Sequence, residues 1–330
     1  MIRGHRHQTW APSLLVTALF ATASLAVGCN APMARTGPLP TPNDMQNASQ
    51  RAQNASSSMT STNQAPKPMH VVRHGQDVSI DMYTEETMVT IAPGVKFPAW
   101  TFDGSVPGPV IELEQGDSVT LTLHNLDPNM VHSIDLHAAL VAPNQAFTDV
   151  APGQSKTFHF VASLPGVFMY HCETPPMALH IAQGMYGAVV VTPKGIQPPL
   201  YSIVQSEFYK PLDTNSVLND PPNSMVFNGE VNQYIAHPLQ VKVGEPVTIA
   251  FVNAGPNHFS AFHVVGTILR DVQASGNPEN HLHDVQTYMV APGDGALIHL
   301  EFGTPGIYAF VSHDMSAMSK GAKGFFQVTP

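Results

Sequence analysis

The chain has 330 residues, a formal net charge of −10 and only 12% charged residues. That length holds two domains with cores of their own, and the acidic balance excludes nucleic acid as a natural partner. With 30 prolines and 24 glycines the composition suits a turn-rich β protein; 17 histidines are many for this length, and histidine is the commonest metal ligand.

The first segment, 1–29, has Arg3 and Arg6, then an apolar run from Leu14 to Gly28, then Cys29. A basic start, a short apolar stretch and small residues before the cut read as an export signal. Leu25-Ala26-Val27-Gly28-Cys29 is similar to a bacterial lipoprotein signal, with Ala26 where such signals usually carry Leu. Cys29 is therefore the expected lipidation site, and simple secretion the alternative. The product is expected to be exported, as a periplasmic protein or as a lipoprotein on a membrane such as the outer membrane. Any membrane contact is expected through the lipid alone. Residues 30–69 are rich in Pro, Asn, Gln, Ser, Thr and Ala, a composition that predicts a disordered linker. With two cysteines in all, Cys29 and Cys172, no structural disulfide is expected.

From about Val71 short alternating strands set in. Val119-Thr120-Leu121-Thr122-Leu123 and Thr157-Phe158-His159-Phe160-Val161 both show period two. No long amphipathic helix is predicted. Several stretches recur. Gly116-Asp117-Ser118-Val119 is echoed by Gly244-Glu245-Pro246-Val247, and Ala151-Pro152-Gly153 by Ala291-Pro292-Gly293. Pro165-Gly166-Val167-Phe168 is echoed by Pro305-Gly306-Ile307-Tyr308, and Phe102-Asp103-Gly104 by Phe227-Asn228-Gly229. The offsets, 125 to 140 residues, match one β-sandwich and are too long for a solenoid. The reading is two tandem sandwiches, 70–195 and 196–330, joined near Pro193 to Pro199.

The chemistry concentrates in the first copy. Cys172, His180 and Met185 form Cys-x7-His-x4-Met. A thiolate, imidazoles and a weak axial thioether make a trigonal copper site of the electron-transfer type. The missing imidazole is best supplied by His132, which opens the cluster His132-Ser133-Ile134-Asp135-Leu136-His137. Singly, each residue would be read as core; together, in an exported β protein, they read as a site. In extended backbone His171 points away from Cys172, and His137 away from His132. His137 and His171 are thus two imidazoles for a second metal, with Asp135 on the same face as a proton carrier. A third histidine is expected from the second domain, where His263 and His313 are both candidates.

At these residues the chain resembles the copper-containing, nitric-oxide-forming nitrite reductases. The strongest stretches are Ala99 to Pro109, His132 to His137, Tyr170 to Gly187 and Phe262 to Ile268. The resemblance implies an all-β fold of two cupredoxin-type Greek-key sandwiches, assembled as a homotrimer with two coppers per subunit. It implies type 1 copper on His132, Cys172, His180 and Met185. It implies type 2 copper on His137 and His171, with His313 from the neighbouring subunit. Asp135 and His263 match the catalytic pair. The implied reaction is one-electron reduction of nitrite, fed by a small cupredoxin or a c-type cytochrome.

Some residues depart from that family's pattern. Glu173 follows the copper cysteine and adds charge near it, with consequences for donor docking. Val265 makes the substrate pocket roomier where relatives often carry Ile. His258, His281 and His283 have no counterpart and read as surface or loop histidines, with adventitious metal binding as the alternative. Two rival functions fit less well. A laccase-type multicopper oxidase needs His-Cys-His, and here Glu173 follows Cys172. A blue-copper electron carrier leaves His137, His171, Asp135, His263 and His313 without a purpose.

Overall fold

The computed structural model describes residues 66–146 and 148–330. Cys29, the export signal and most of the linker lie outside them. Residues 66–69 were expected to belong to the disordered linker, but they dock on the first sandwich. Met69 N–H donates to the Val110 carbonyl (2.6 Å), Val110 N–H donates to Lys67 (2.9 Å), and Met69 enters the core. Composition missed this because one apolar side chain suffices to anchor the segment.

In chain order the first half carries β1 (Val72–His74), β2 (Asp77–Ala92), β3 (Val95–Phe102), β4 (Ile111–Glu114), β5 (Ser118–Asn125), β6 (Asp135–Leu136), β7 (Ser155–Val161), β8 (Gly166–His171) and β9 (Tyr186–Thr192). The second carries β10 (Tyr201–Phe208), β11 (Ser224–Phe227), β12 (Leu239–Lys242), β13 (Val247–Asn253), β14 (Ser260–Val264), β15 (Leu269–Ala274), β16 (His281–Val285), β17 (Thr287–Val290), β18 (Gly295–Leu300), β19 (Gly306–Ser312) and β20 (Lys323–Thr329). The helices among the described residues are short, four to six residues each, and one of them, Met177–Ala182, carries His180.

These strands form four sheets. β1-β2-β5-β7, with β3 on β2, faces β4-β9-β8-β6; β11-β10-β13-β18-β15-β16 faces β12-β20-β19-β14-β17. Alternation along each strand supplies the cores. Ile80, Leu121, Phe158, Leu113, Tyr170 and Val189 meet inside the first sandwich, and Phe251, Ile298, Phe262 and Phe326 inside the second. A third apolar cluster joins the two sandwiches: Val167, Met169, Ala188 and Val190 from β8 and β9 pack on Val204, Ala250 and Val252. The backbones touch there. A Cβ on Gly295 would meet the Val167 carbonyl oxygen at 2.3 Å, so only glycine fits.

The sequence repeat is a structural repeat. Asp103-Gly104 and Asn228-Gly229 both take positive φ. Asp103 Oδ1 accepts from Tyr83 N–H (2.8 Å), as Asn228 Oδ1 accepts from Val204 N–H (2.7 Å). A second correspondence was not expected from sequence. Buried Asn125 donates Nδ2 to the Met130 and Val150 carbonyls, and buried Asn253 donates to those of His258 and Val290. Each asparagine staples the loop after its strand. Asn125→Ala removes the donor to the Met130 carbonyl and the acceptor of the Thr84 hydroxyl, leaving the Val150 carbonyl only its bond from His132 N–H, and is expected to destabilise by about 2–4 kcal/mol, read as a lower urea-unfolding midpoint.

Candidate metal centres

Tyr170 and Cys172 face the first sandwich core, whereas Val167, Met169 and His171 face the second sandwich. The pleat therefore sends adjacent residues into two compartments. In the first, His132, Cys172, His180 and Met185 are all fully buried. His180 Nδ1 lies 3.2 Å and His132 Nδ1 3.9 Å from Cys172 Sγ. Cys172 N–H donates to the Met185 carbonyl (3.1 Å), and Met185 N–H to that of His180 (3.1 Å), which ties the loop carrying three of these residues into one knot. Asp127, also buried, accepts from His132 Nε2–H at 3.0 Å. This fixes the tautomer and leaves the Nδ1 lone pair aimed at the sulfur. Burial pushes the Cys172 thiol up and His132 down, the latter against the pull of Asp127.

In the second compartment the β6–β8 register pairs Asp135 with His171, and His137 N–H donates to the Met169 carbonyl (3.1 Å). His137 Nε2 and His171 Nε2 are 3.1 Å apart, with Asp135 Oδ2 at 3.9 and 3.8 Å. The other nitrogen of each ring is committed. His137 Nδ1–H donates to the Gly293 carbonyl and His171 Nδ1–H to that of Cys172, both at 3.0 Å. A carbonyl can only accept, so both Nε2 atoms present lone pairs to each other. A proton or a cation must relieve that repulsion.

Copper fits both donor sets. The first joins a soft thiolate to two neutral imidazoles beside a buried thioether, and the buried Nε2 of His180 has no hydrogen-bond partner. In the second, nitrogens 3.1 Å apart and about 2 Å from a shared ion subtend about 100° at it, an ordinary ligand angle. His137 and Asp135 remain partly exposed, so a position facing solvent is open.

His263 and His313 are not drawn into that group within one chain. They pair with each other, ring centroids 5.3 Å apart, on the partly exposed face formed by β14 and the end of β19. His263 Nδ1–H donates to the Gln286 carbonyl (2.7 Å), leaving Nε2 free to point outward. Val265, 51% exposed, lies two residues along. Glu173 differs from expectation. Its carboxyl is pushed up by burial and then by the nearby charge of Asp135. Its charge therefore acts on the second compartment as well as near the cysteine.

A family model described as multicopper oxidase matches residues 83–195. A copper-containing nitrite reductase of Neisseria meningitidis serogroup B is 37% identical over 268 residues, covering 76% of this chain and 68% of that protein. The solved copper nitrite reductase of Nitrosomonas europaea superposes with a TM-score of 0.74 at 39% identity, over 77% of this chain and 94% of that one. That of Thermus scotoductus gives 0.72 at 31% identity, over 76% and 61%. The chain belongs to the copper-containing nitrite reductase family. Within this nitrite reductase fold, sequence reasoning missed Asp127, the Gly293 carbonyl and the Gln286 carbonyl, each of which holds a histidine by its second nitrogen. Asp127, five residues before His132 in a turn, carried the one legible signal.

Two outcomes are expected. Asp127→Leu frees the His132 ring and should weaken copper binding at the cysteine site about 10–100-fold, read by competition with a chelator. Burial, then His132, lowers His180 to about 4. Folding therefore favours the neutral ring, a contribution full above about pH 6.5 and lost as pH falls towards about 4. The thermal midpoint of metal-free protein should fall across that window, and less steeply in His180→Gln.

Proposed function

We propose that the chain reduces nitrite to nitric oxide and water, NO2− + e− + 2 H+ → NO + H2O. The observation that carries this is one peptide unit, His171-Cys172, joining a buried sulfur–nitrogen donor set to a solvent-facing nitrogen set. His132, Cys172, His180 and Met185 are assigned to type 1 copper. His137 and His171, with His313 of the partner subunit, are assigned to type 2 copper. Bound copper would supply one-electron redox chemistry at the first set and an open, anion-accepting position at the second. The covalent path from Cys172 Sγ to the His171 ring is the connection between them, doubled by the hydrogen bond from His171 Nδ1–H to the Cys172 carbonyl.

Asp135 and His263 deliver the two protons. Asp135 reaches the mouth of the second set, and burial with the nearby charge of Asp135 pushes the Glu173 carboxyl up beside it. The intersubunit reading is supported by His263 and His313 standing together on an exposed face, apart from His137 and His171. It gives a homotrimer with two coppers per subunit. We take 70–195 and 196–330 as the two domains, 1–29 as an export signal ending at the lipidated Cys29, and a cupredoxin or c-type cytochrome as donor. A laccase-type reading would need a third cluster of histidines beside Cys172, and Glu173 occupies that side.

Electron paramagnetic resonance on copper-loaded protein should show two copper signals, one of which shifts with nitrite. A second signal indifferent to nitrite would overturn the assignment. Asp135→Asn should retain both coppers yet lose about 10²–10⁴-fold in nitric oxide production at an electrode. Near-normal turnover would remove Asp135 from proton delivery.

A further inference from the structure

One more group of ligand side chains lies together, in the second sandwich. Asp271, His281 and His283 place one donor atom each within 4.8 Å of one another. The strand register builds the group. Asp271 on β15 is paired with His283 on β16 at one side and with His299 on β18 at the other; Gln273 is paired with His281. Alternation puts these side chains on the outer face, while Val272 and Ile298 between them fill the core. Asp271 Oδ1 accepts from His281 Nδ1 (2.7 Å) and lies 3.3 Å from His283 Nδ1. Asp271 Oδ2 lies 3.9 Å from His299 Nε2 and 3.4 Å from the Gln273 amide. The rings of His281 and His283 stack with centroids 5.6 Å apart.

Exposed His–Asp pairs on a sheet are ordinary and weak. Three imidazoles brought around one carboxylate by the two strands that flank it are not, because one carboxylate balances only one protonated ring. A divalent cation shared among them would balance the carboxylate and use the ring lone pairs together. Burial already holds His299 below its usual value. We infer that Asp271, His281 and His283 form a third metal site, with His299 beside the far oxygen of Asp271, for a borderline divalent ion, zinc or cupric copper, on the outer face of the second sandwich. Imidazole with carboxylate is the donor set these ions prefer. The ion would act as a structural clip. It would fasten the β15–β16 hairpin to β18, and the tip of that hairpin is where the Ser275 carbonyl accepts from Val167 N–H (2.9 Å) on β8. This inference stands independently of the nitrite reading, since none of its residues belongs to the other two groups.

The test is calorimetric titration of protein loaded with only two equivalents of copper per chain, first with zinc sulfate and separately with cupric sulfate. Wild type should take up one further equivalent per chain. The double variant His281→Ala/His283→Ala should lose at least tenfold in affinity, and Asp271→Asn should also bind more weakly. Unchanged visible absorption at the Cys172 site and an unchanged urea-unfolding midpoint of the metal-free protein would show that both variants fold. Saturable uptake of either ion by wild type, lost in the double variant, would support the site. Wild type and double variant binding alike, or no saturable uptake by wild type, would overturn the site whatever the nitrite activity proves to be.

Discussion

The alternation of side chains across β8 is the constraint on which the rest depends. Tyr170 and Cys172 belong to the interior of the first sandwich, Val167 and Met169 to the contact between sandwiches, and His171 continues that second series. A shift of one residue in register would exchange the two sets. The apolar neighbours on each face therefore hold two chemically different donor sets one peptide bond apart. The buried set is dry, with Cys172, His132 and His180 inaccessible to solvent. Burial there raises the thiol, so a thiolate at this position would need a cation beside it, since the apolar surroundings disfavour the charge. The same burial keeps both imidazoles neutral and able to ligate.

A second layer of order comes from what each histidine does with its other nitrogen. Asp127 takes it for His132, the Cys172 carbonyl for His171, the Gly293 carbonyl for His137 and the Gln286 carbonyl for His263. His180 is the exception: its Nε2 is buried without a partner, and the ring is held by Trp100, 4.7 Å away between centroids. The Gly293 contact matters most for architecture. It crosses from the second sandwich to the first, so the orientation of His137 depends on the two sandwiches being docked.

Much of this was legible in the sequence because it is local. The spacing Cys172-x7-His180-x4-Met185 follows one loop and one helical turn, and the parity of His132, Asp135, His137, His171 and Cys172 follows the strand pleat. What escaped is set by register and by backbone atoms. Nothing near His137 points to a carbonyl 156 residues away. The direction of the Glu173 side chain depends on the pairing of Asp135 with His171. His281 and His283 looked like isolated surface residues because Asp271 and His299 meet them only across strands.

The repeat also explains why the second sandwich keeps the fold without a buried centre. Its turn at Asn228-Gly229, its staple at Asn253 and its parallel pairing of β10 with β13 copy the first half. Its interior differs. Phe227, Phe251, Phe262, Phe310 and Phe326 interlock there, with centroids as close as 4.8 Å between Phe251 and Phe262 and 4.9 Å between Phe310 and Phe326. A close-packed aromatic core has no space for an ion and no donor atom to hold one. Polar groups of this half that face outward lie on its surfaces: His263 and His313 on one sheet, Asp271 with its histidines on the other, and the loop carbonyls of Gly293 and Ser275 turned toward the first sandwich.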